Sequence, residues 1–600
     1  MKHLLHRLLL PVIVAAASLA GVFAARTEAA PSPQRPPNII LVITDDQGKN
    51  DLACEGNPWV QTPNLDRFHS ESVRFTNFHV STTCAPTRGA LLSGRHTDRI
   101  NVPHTIAGRS LLFDDERILP EILAQNGYAT AMFGKWHLGD NYPYRPEDRG
   151  FQEAVWHAAG GVGQGPDYWG NDYFDDTYHH NGRLEKFEGY CTDVFFREAL
   201  RFIEANRDRP FFTYIATNAP HGPLNCPEDY IDRYADIPEL NDTLRRFYGM
   251  ITNIDDNFGR LRARLAELGL ADNTILIFMT DNGTAYGSKA FDAGMSGHKG
   301  SVLEGGHRVP FYIQWPAGGI GGGRDIGALT AHFDVLPTLV ELAGLRFTPH
   351  KPLDGRSLVP LLRGETPEWI DRIITVDTQR VLNLTKYKAY SVMQGEWRLV
   401  NGNRLYDLRT DLKQQHNVID QHPEIAERLA LAYEGWWASL LAEGADTRHA
   451  WIRVGTPWEN PTRLAAHDLL SVDIGRAWHQ FGIIEPTPAV GLWKVDFVSG
   501  GRYRFALRRF PRESGLAINA TFPAAPKQRR IADTAPAATK DDFAEARLYI
   551  GAHAFRAPIT DEEEIVFEAD MPPGRFDVDA RLIDRAGRFY PAYYLYIEKL

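Results

Sequence analysis

Positive charge is in short supply in this chain. Its 65 Lys and Arg stand against 76 Asp and Glu, a formal net charge of −11 over 600 residues, which gives no footing for nucleic-acid binding. An acidic protein that binds anions must therefore gather its cations locally. Cysteine is scarcer still, four in all, so two disulfides are the most the chain can make. Beyond the first thirty residues no apolar run is long enough for a membrane span. Those thirty residues carry a leader pattern: Lys2, His3, His6 and Arg7, an apolar stretch from Leu8 to Ala25, and small residues from Ala24 to Ala30. Pro11 and the many alanines leave that stretch weakly hydrophobic for a permanent anchor. Residues 1–30 thus read as a cleaved signal peptide and the protein as periplasmic or secreted. No cysteine follows the stretch closely, which argues against a lipoprotein.

With 43% hydrophobic residues over this length, the chain can bury a large core and divide into two or three structural units. Short, uninterrupted β-branched runs recur, the pattern of parallel strands covered on both faces. Two of them end in oxygen-rich clusters: Asn38–Thr44 runs into Asp45-Asp46, and Thr274–Thr280 runs into Asp281-Asn282-Gly283. Residues that follow such strands emerge at the carboxyl edge of a sheet, where open α/β folds place their ligands. Three acids and an amide in that position suit a hard cation such as calcium, although either cluster by itself is also an ordinary turn. Ala129–Phe133 leads to Gly134-Lys135-Trp136-His137, which predicts Lys135 and His137 on one face of an extended segment. Phe211–Ala216 leads to Asn218-Ala219-Pro220-His221, and Gly297-His298-Lys299-Gly300 forms a glycine-rich loop able to bring Lys299 close to an anion.

The most informative run is Ser81-Thr82-Thr83-Cys84-Ala85-Pro86-Thr87-Arg88-Gly89. It resembles the C-x-P-x-R signature of the type I, formylglycine-dependent sulfatases of the alkaline phosphatase superfamily, in which a maturation enzyme oxidises the cysteine to an aldehyde. The resemblance covers roughly residues 36 to 445, and the other motifs match in type and order. It implies calcium, one ion, held by Asp45, Asp46, Asp281 and Asn282 with the formylglycine (3-oxoalanine) oxygen at Cys84 completing the shell. It further implies a catalytic set of Cys84, Arg88, Lys135, His137, His221 and Lys299. In that scheme a hydrated aldehyde at residue 84 is the nucleophile and Arg88 fixes it by hydrogen bonds. Lys135 and Lys299 hold sulfate oxygens, His221 and Lys299 serve the leaving oxygen, and His137 accepts a proton from the second hydroxyl. The implied activity is sulfuric ester hydrolysis, on an aryl sulfate or, given export, a sulfated carbohydrate. A phosphate or phosphonate monoester hydrolase of the same superfamily and a non-catalytic sulfated-glycan-binding protein are the competing functions. If Cys84 is converted, Cys54, Cys191 and Cys226 remain; either Cys191 pairs with Cys226 or all three stay free thiols.

The expected architecture is α/β: a large mixed, mostly parallel sheet with helices on both faces over residues 36–380, helices over 193–206 and 244–268, and a small antiparallel-sheet subdomain over 381–445 with a helix ending near Trp437. Asp411 to His422 is polar and reads as a surface connection. Residues 446–600 alternate apolar and polar positions in several runs, which predicts a β-sandwich-like appendage. Trp493–Val498 and Tyr503–Leu507, on either side of Ser499-Gly500-Gly501, predict a hairpin. Two roles are open for this appendage, carbohydrate binding and simple packing. The segment Tyr168–Asp176 mixes aromatic and polar residues as a sugar-binding loop does, and as a packed surface loop does; His104 and His180 are further candidates for contacting the organic part of a substrate.

Overall fold

Every residue of the strand Asn38–Thr44 (β1) is buried, and its side chains alternate between two cores. Ile39, Leu41 and Ile43 enter one cluster, together with Ala85, Leu91 and Leu92 of the helix Cys84–Ser93 (α1). Ile40 and Val42 enter the other, packed against the helices Cys191–Ala205 (α2) and Asp242–Glu267 (α3). A strand buried on both faces has no polar face to show, which is why its sequence is continuous rather than alternating. The computed structural model describes residues 35–365, 369, 371–539 and 542–600. The leader expected over residues 1–30 lies outside them. Among the described residues no helix is long and apolar enough to cross a membrane.

β1 lies at the centre of a ten-stranded mixed sheet. Its parallel neighbours are Thr274–Thr280 (β4) on one side and Phe211–Ala216 (β3) on the other, and Ala129–Lys135 (β2) lies parallel beyond β3. Four consecutive strands therefore end at one edge, and the polar clusters at Asp45-Asp46, Lys135, Asn218–His221 and Asp281-Asn282 stand at or just past their ends. Antiparallel pairings appear on both flanks of this parallel centre. The helices expected over 193–206 and 244–268 are α2 and α3.

A four-stranded antiparallel sheet follows, Ile373–Asp377, Tyr390–Gln394, Trp397–Val400 and Arg404–Asp407, backed by the helix Pro423–Ala442. Its first strand precedes residue 381, and its helix runs one turn past Trp437. Two further sheets lie face to face over a shared core, as the sandwich expectation required. The expected hairpin is not formed. Trp493–Phe497 pairs with Gly574–Asp584, whereas Gly501–Arg508 pairs with Tyr594–Lys599 and Ile565–Met571 in the opposite sheet. Both strands carry large apolar side chains at alternate positions, and burying both sets is better served by facing each other than by lying side by side. Phe497 and Tyr503 meet edge to face across the core, ring centroids 4.9 Å apart. Residues 36–600 form one compact unit. All four cysteines are free, so the pairing of Cys191 with Cys226 is not made.

Candidate active site

Cys84 is the first residue of α1 and Pro86 the third. Proline in a first turn breaks no intrahelical bond, because those N–H groups lack partners anyway. The helix then sets Arg88 one turn after Cys84, on the same face. That spacing is the structural content of C-x-P-x-R: residue 84 sits at the positive end of the helix, and the guanidinium behind it reaches the adjoining strand ends. Arg88 Nε and Nη2 donate to Asp281 Oδ2 at 3.1 and 2.9 Å, and Nη1 donates to the Lys135 carbonyl at 3.0 Å. Those three donors lock α1 to the ends of β4 and β2.

The acids converge on the same spot. Ligand atoms of Asp45, Cys84 and Asp281 all lie within 4.8 Å of one another. Asp46, in a left-handed conformation at φ 65°, turns its own N–H onto Asp281 Oδ1 at 3.1 Å, while Asn282 Nδ2 donates to Asp46 Oδ1 at 3.0 Å. This non-glycine strain costs of order 1 kcal/mol and is held by the surrounding bonds. The Asp45 Oδ1 and Asn282 Oδ1 atoms are buried with no hydrogen-bond partner. Two orphaned oxygens beside two more carboxylates are what a hard cation requires and what a proton-only core avoids. Burial and the neighbouring Asp45 charge push the Asp281 carboxyl up to about 7, against the pull of Arg88. Burial also opposes ionisation of Asp46, but Lys299, His221 and Lys135 outweigh it and hold that carboxyl below its usual range.

Two lysines flank the acids. Lys135 Nζ donates to Asp45 Oδ2 at 2.6 Å and Lys299 Nζ to Asp46 Oδ2 at 2.7 Å. Lys299 sits on a loop pressed between its neighbours: Lys299 N donates to the Thr284 carbonyl and Gly300 N to the Thr82 carbonyl, two residues before Cys84. Only glycine fits the contact that seats it, since a Cβ on Gly283 would lie 1.9 Å from the Gly305 carbonyl oxygen. The imidazoles differ from expectation in one respect. β2 stops at Lys135, and His137 has φ 63°, so the two do not share a face of an extended strand. Instead His137 turns aside and donates from Nε2 to the Thr105 carbonyl at 2.8 Å. That bond fixes the tautomer, leaving Nδ1 a buried acceptor with no partner. His221 Nδ1 donates to the Gly222 carbonyl at 2.6 Å and its Nε2 lies 3.7 Å from Asp46 Oδ2. Burial lowers His221 to about 3, and the charges of Lys299 and Lys135 press the same way against Asp46.

A model of the sulfatase family matches residues 37–345, just over half of the chain. The chain belongs to the sulfatase family. A second model, of the C-terminal region of N-sulphoglucosamine sulphohydrolase, matches residues 298–432. Human N-acetylgalactosamine-6-sulfatase is 34% identical over 397 residues, 59% of this chain and 72% of the relative. Human arylsulfatase A is 32% identical over 409 residues, 60% and 76% respectively. Among solved structures, Ps i-CgsB, also determined in complex with k-i-k-neocarrahexaose, superposes with a TM-score of 0.63 at 27% identity, covering 70% of this chain and 95% of that one. This sulfatase is accordingly a sulfuric ester hydrolase, on the alkaline-phosphatase-like fold that the motif resemblance implied.

All ten residues singled out for chemistry in the sequence lie around this one edge of the sheet. Arg88, expected to hold a diol, is bonded instead to Asp281 and the Lys135 backbone. Both Arg88 and Asp281 are fully buried, so Arg88→Ala is expected to destabilise the fold by about 3–5 kcal/mol, the cost of leaving a buried charge unpaired; urea unfolding measures it. Outside the acids a cavity of about 760 Å³ opens over Asp46, His221 and Lys299. From the segment Tyr168–Asp176, residues Trp169 to Asp172 line it. His104 and His180 do not: His104 Nδ1 accepts from Thr105 N, and His180 bridges Glu153 and Glu185 on an outer strand. Tyr286, Trp478 and His479 also line the cavity, and nothing in the sequence singled them out.

Proposed function

We propose that this sulfatase removes a sulfate monoester from a carbohydrate, using formylglycine made from Cys84 by a maturation enzyme and a calcium ion held by Asp45, Asp46, Asp281 and Asn282. The observation that carries the reading is the pair of buried, unpartnered oxygens, Asp45 Oδ1 and Asn282 Oδ1, set among carboxylates beside residue 84. The carbohydrate comes from the relatives, one named for N-acetylgalactosamine and another solved with neocarrahexaose. When bound, the ion supplies positive charge to an anionic site and lowers the pKa of a hydroxyl it contacts. Formylglycine would supply, once hydrated, two hydroxyls on one carbon, so that sulfate can leave without water attacking sulfur and water then re-forms the diol from the aldehyde.

The chain's own residues do the rest. Lys135 and Lys299 are compact charges on two sides of the acids, suited to sulfate oxygens. His137 offers Nδ1 as a proton acceptor, because Nε2–H is committed to Thr105. His221 is neutral before substrate arrives; the negative charge of a sulfate ester beside Nε2 favours its protonation, which readies a donor for the departing alkoxide. The same reading takes residues 1–30 as an export signal. Mass spectrometry of the residue-84 peptide from exported protein, beside turnover of 4-nitrophenyl sulfate, tests it. Aldehyde with turnover is the expected result; an unmodified thiol in protein that is fully active would overturn it.

A further inference from the structure

Only one wall of the cavity belongs to the region matched by the sulfatase models. Gln164, Trp169, Asn171 and Tyr286 stand on that side, while Trp478 and His479 face them from the C-terminal β-rich part of the chain. The two models end at residues 345 and 432, so this second wall lies outside both.

It is fastened to the first wall by its backbone. Gly165 N donates to the Trp478 carbonyl at 2.8 Å, and Gln480 N donates to the Gly163 carbonyl at 3.1 Å. The buried Gln480 side chain donates to the carbonyls of Gln164 and Tyr168, both at 3.2 Å, and accepts from Gly170 N at 3.1 Å. Tyr594, from the sandwich itself, donates its hydroxyl to the Gly165 carbonyl at 2.6 Å. A second arm of the same domain is held likewise: Cys226 N donates to the Arg530 carbonyl and Ala532 N to Asn225 Oδ1. The C-terminal domain also buries apolar surface against the catalytic part, with Leu111, Phe113 and Tyr144 joining the sandwich core. On the cavity side a polar lattice fixes the backbone from which Trp478 and His479 project, which is how rigid recognition surfaces are built.

The two side chains are suited to a sugar ring. Trp478 is half-buried, with its indole edge to face with the His479 ring at 5.3 Å. His479 Nδ1 accepts from Phe481 N at 3.1 Å, which leaves Nε2–H as the donor of a neutral ring. An indole stacks on the C–H face of a pyranose, and a neutral N–H donor reads a hydroxyl. A sulfate group has a stronger partner in the same cavity, the charged Lys299 beside Asp46.

We propose that Trp478 and His479 are specificity residues of this sulfatase: they bind the sugar that carries the sulfate ester, making the C-terminal domain part of the active site. This rests on the sulfate-ester reading above. The test uses matured full-length protein with N-acetylgalactosamine 6-sulfate, sulfated galactan oligosaccharides and 4-nitrophenyl sulfate. W478A is expected to raise KM for the preferred saccharide about ten-fold with kcat moving less, and to lower the saccharide-to-aryl ratio of kcat/KM about ten-fold; W478F is expected to recover most of both. H479A is expected to shift the ratio in the same direction. An unchanged ratio in both variants, or equal loss on saccharide and aryl sulfate, would overturn the proposal while leaving the hydrolase reading in place. Absence of turnover on every substrate by the unmutated protein would instead strike the hydrolase reading, and this proposal with it.

Discussion

Replacing Cys84 with alanine is expected to abolish turnover of 4-nitrophenyl sulfate, a loss of about 10⁴-fold or more in kcat, with little change in the thermal midpoint. Residue 84 is the group at the N-terminus of α1 that lies among the acids, and a nucleophile deleted from an otherwise intact site takes most of the rate with it. The fold has little to lose, since the thiol is a small buried group beside the acids and burial already pushes it up, away from thiolate. Cys84→Ser separates two parts of the chemistry. A serine can attack sulfur but has no second hydroxyl on the same carbon, so the expected result is at most one equivalent of 4-nitrophenol per enzyme and a protein heavier by one SO3. Steady turnover by the serine variant, measured over many enzyme equivalents, would show that release does not depend on a diol.

The catalytic edge was legible because its determinants are local. Four apolar runs each ended in polar residues, and parallel strands in one sheet can deliver such ends only to one place, so Asp45, Lys135, His221 and Asp281 had to meet. The Cys84 to Arg88 spacing likewise states a single helical turn. What failed to show was set by contacts between distant loops. The bond from Arg88 to Asp281 spans 193 positions, and no periodicity encodes which acceptor a buried guanidinium finds. Trp493–Phe497 and Gly501–Arg508 look like a hairpin by pattern, yet alternation states only that one face is buried; whether the buried faces lie side by side or opposite is decided by the rest of the sandwich. Trp478-His479-Gln480 has neither helical nor strand period, and its place at the cavity follows from hydrogen bonds to residues 163–170, more than 300 positions earlier.

Removing calcium with a chelator is expected to abolish turnover and to lower the thermal midpoint, and the size of that lowering is expected to depend on pH. Without the ion, three carboxylates and Cys84 share one buried pocket, and burial with the Asp45 charge raises Asp281 to about 7 from an unfolded value of 3.8. A carboxyl whose pKa is raised on folding binds its proton more tightly in the folded state, so its contribution favours the fold at low pH and is lost as pH climbs from about 4 through about 7. Above that range the metal-free protein must hold Asp281 and Asp45 ionised side by side in a buried pocket, and that repulsion is what a divalent cation relieves. At lower pH the proton competes with the ion for the same oxygen. The midpoint difference between calcium-loaded and chelated protein should therefore be larger at pH 8 than at pH 5, and Asp281→Asn, which carries no proton to exchange, should flatten that dependence. Equal differences at the two values, in scans made at fixed calcium and fixed ionic strength, would show that Asp281 is already ionised in the metal-free fold and that Arg88 alone suffices to keep it so.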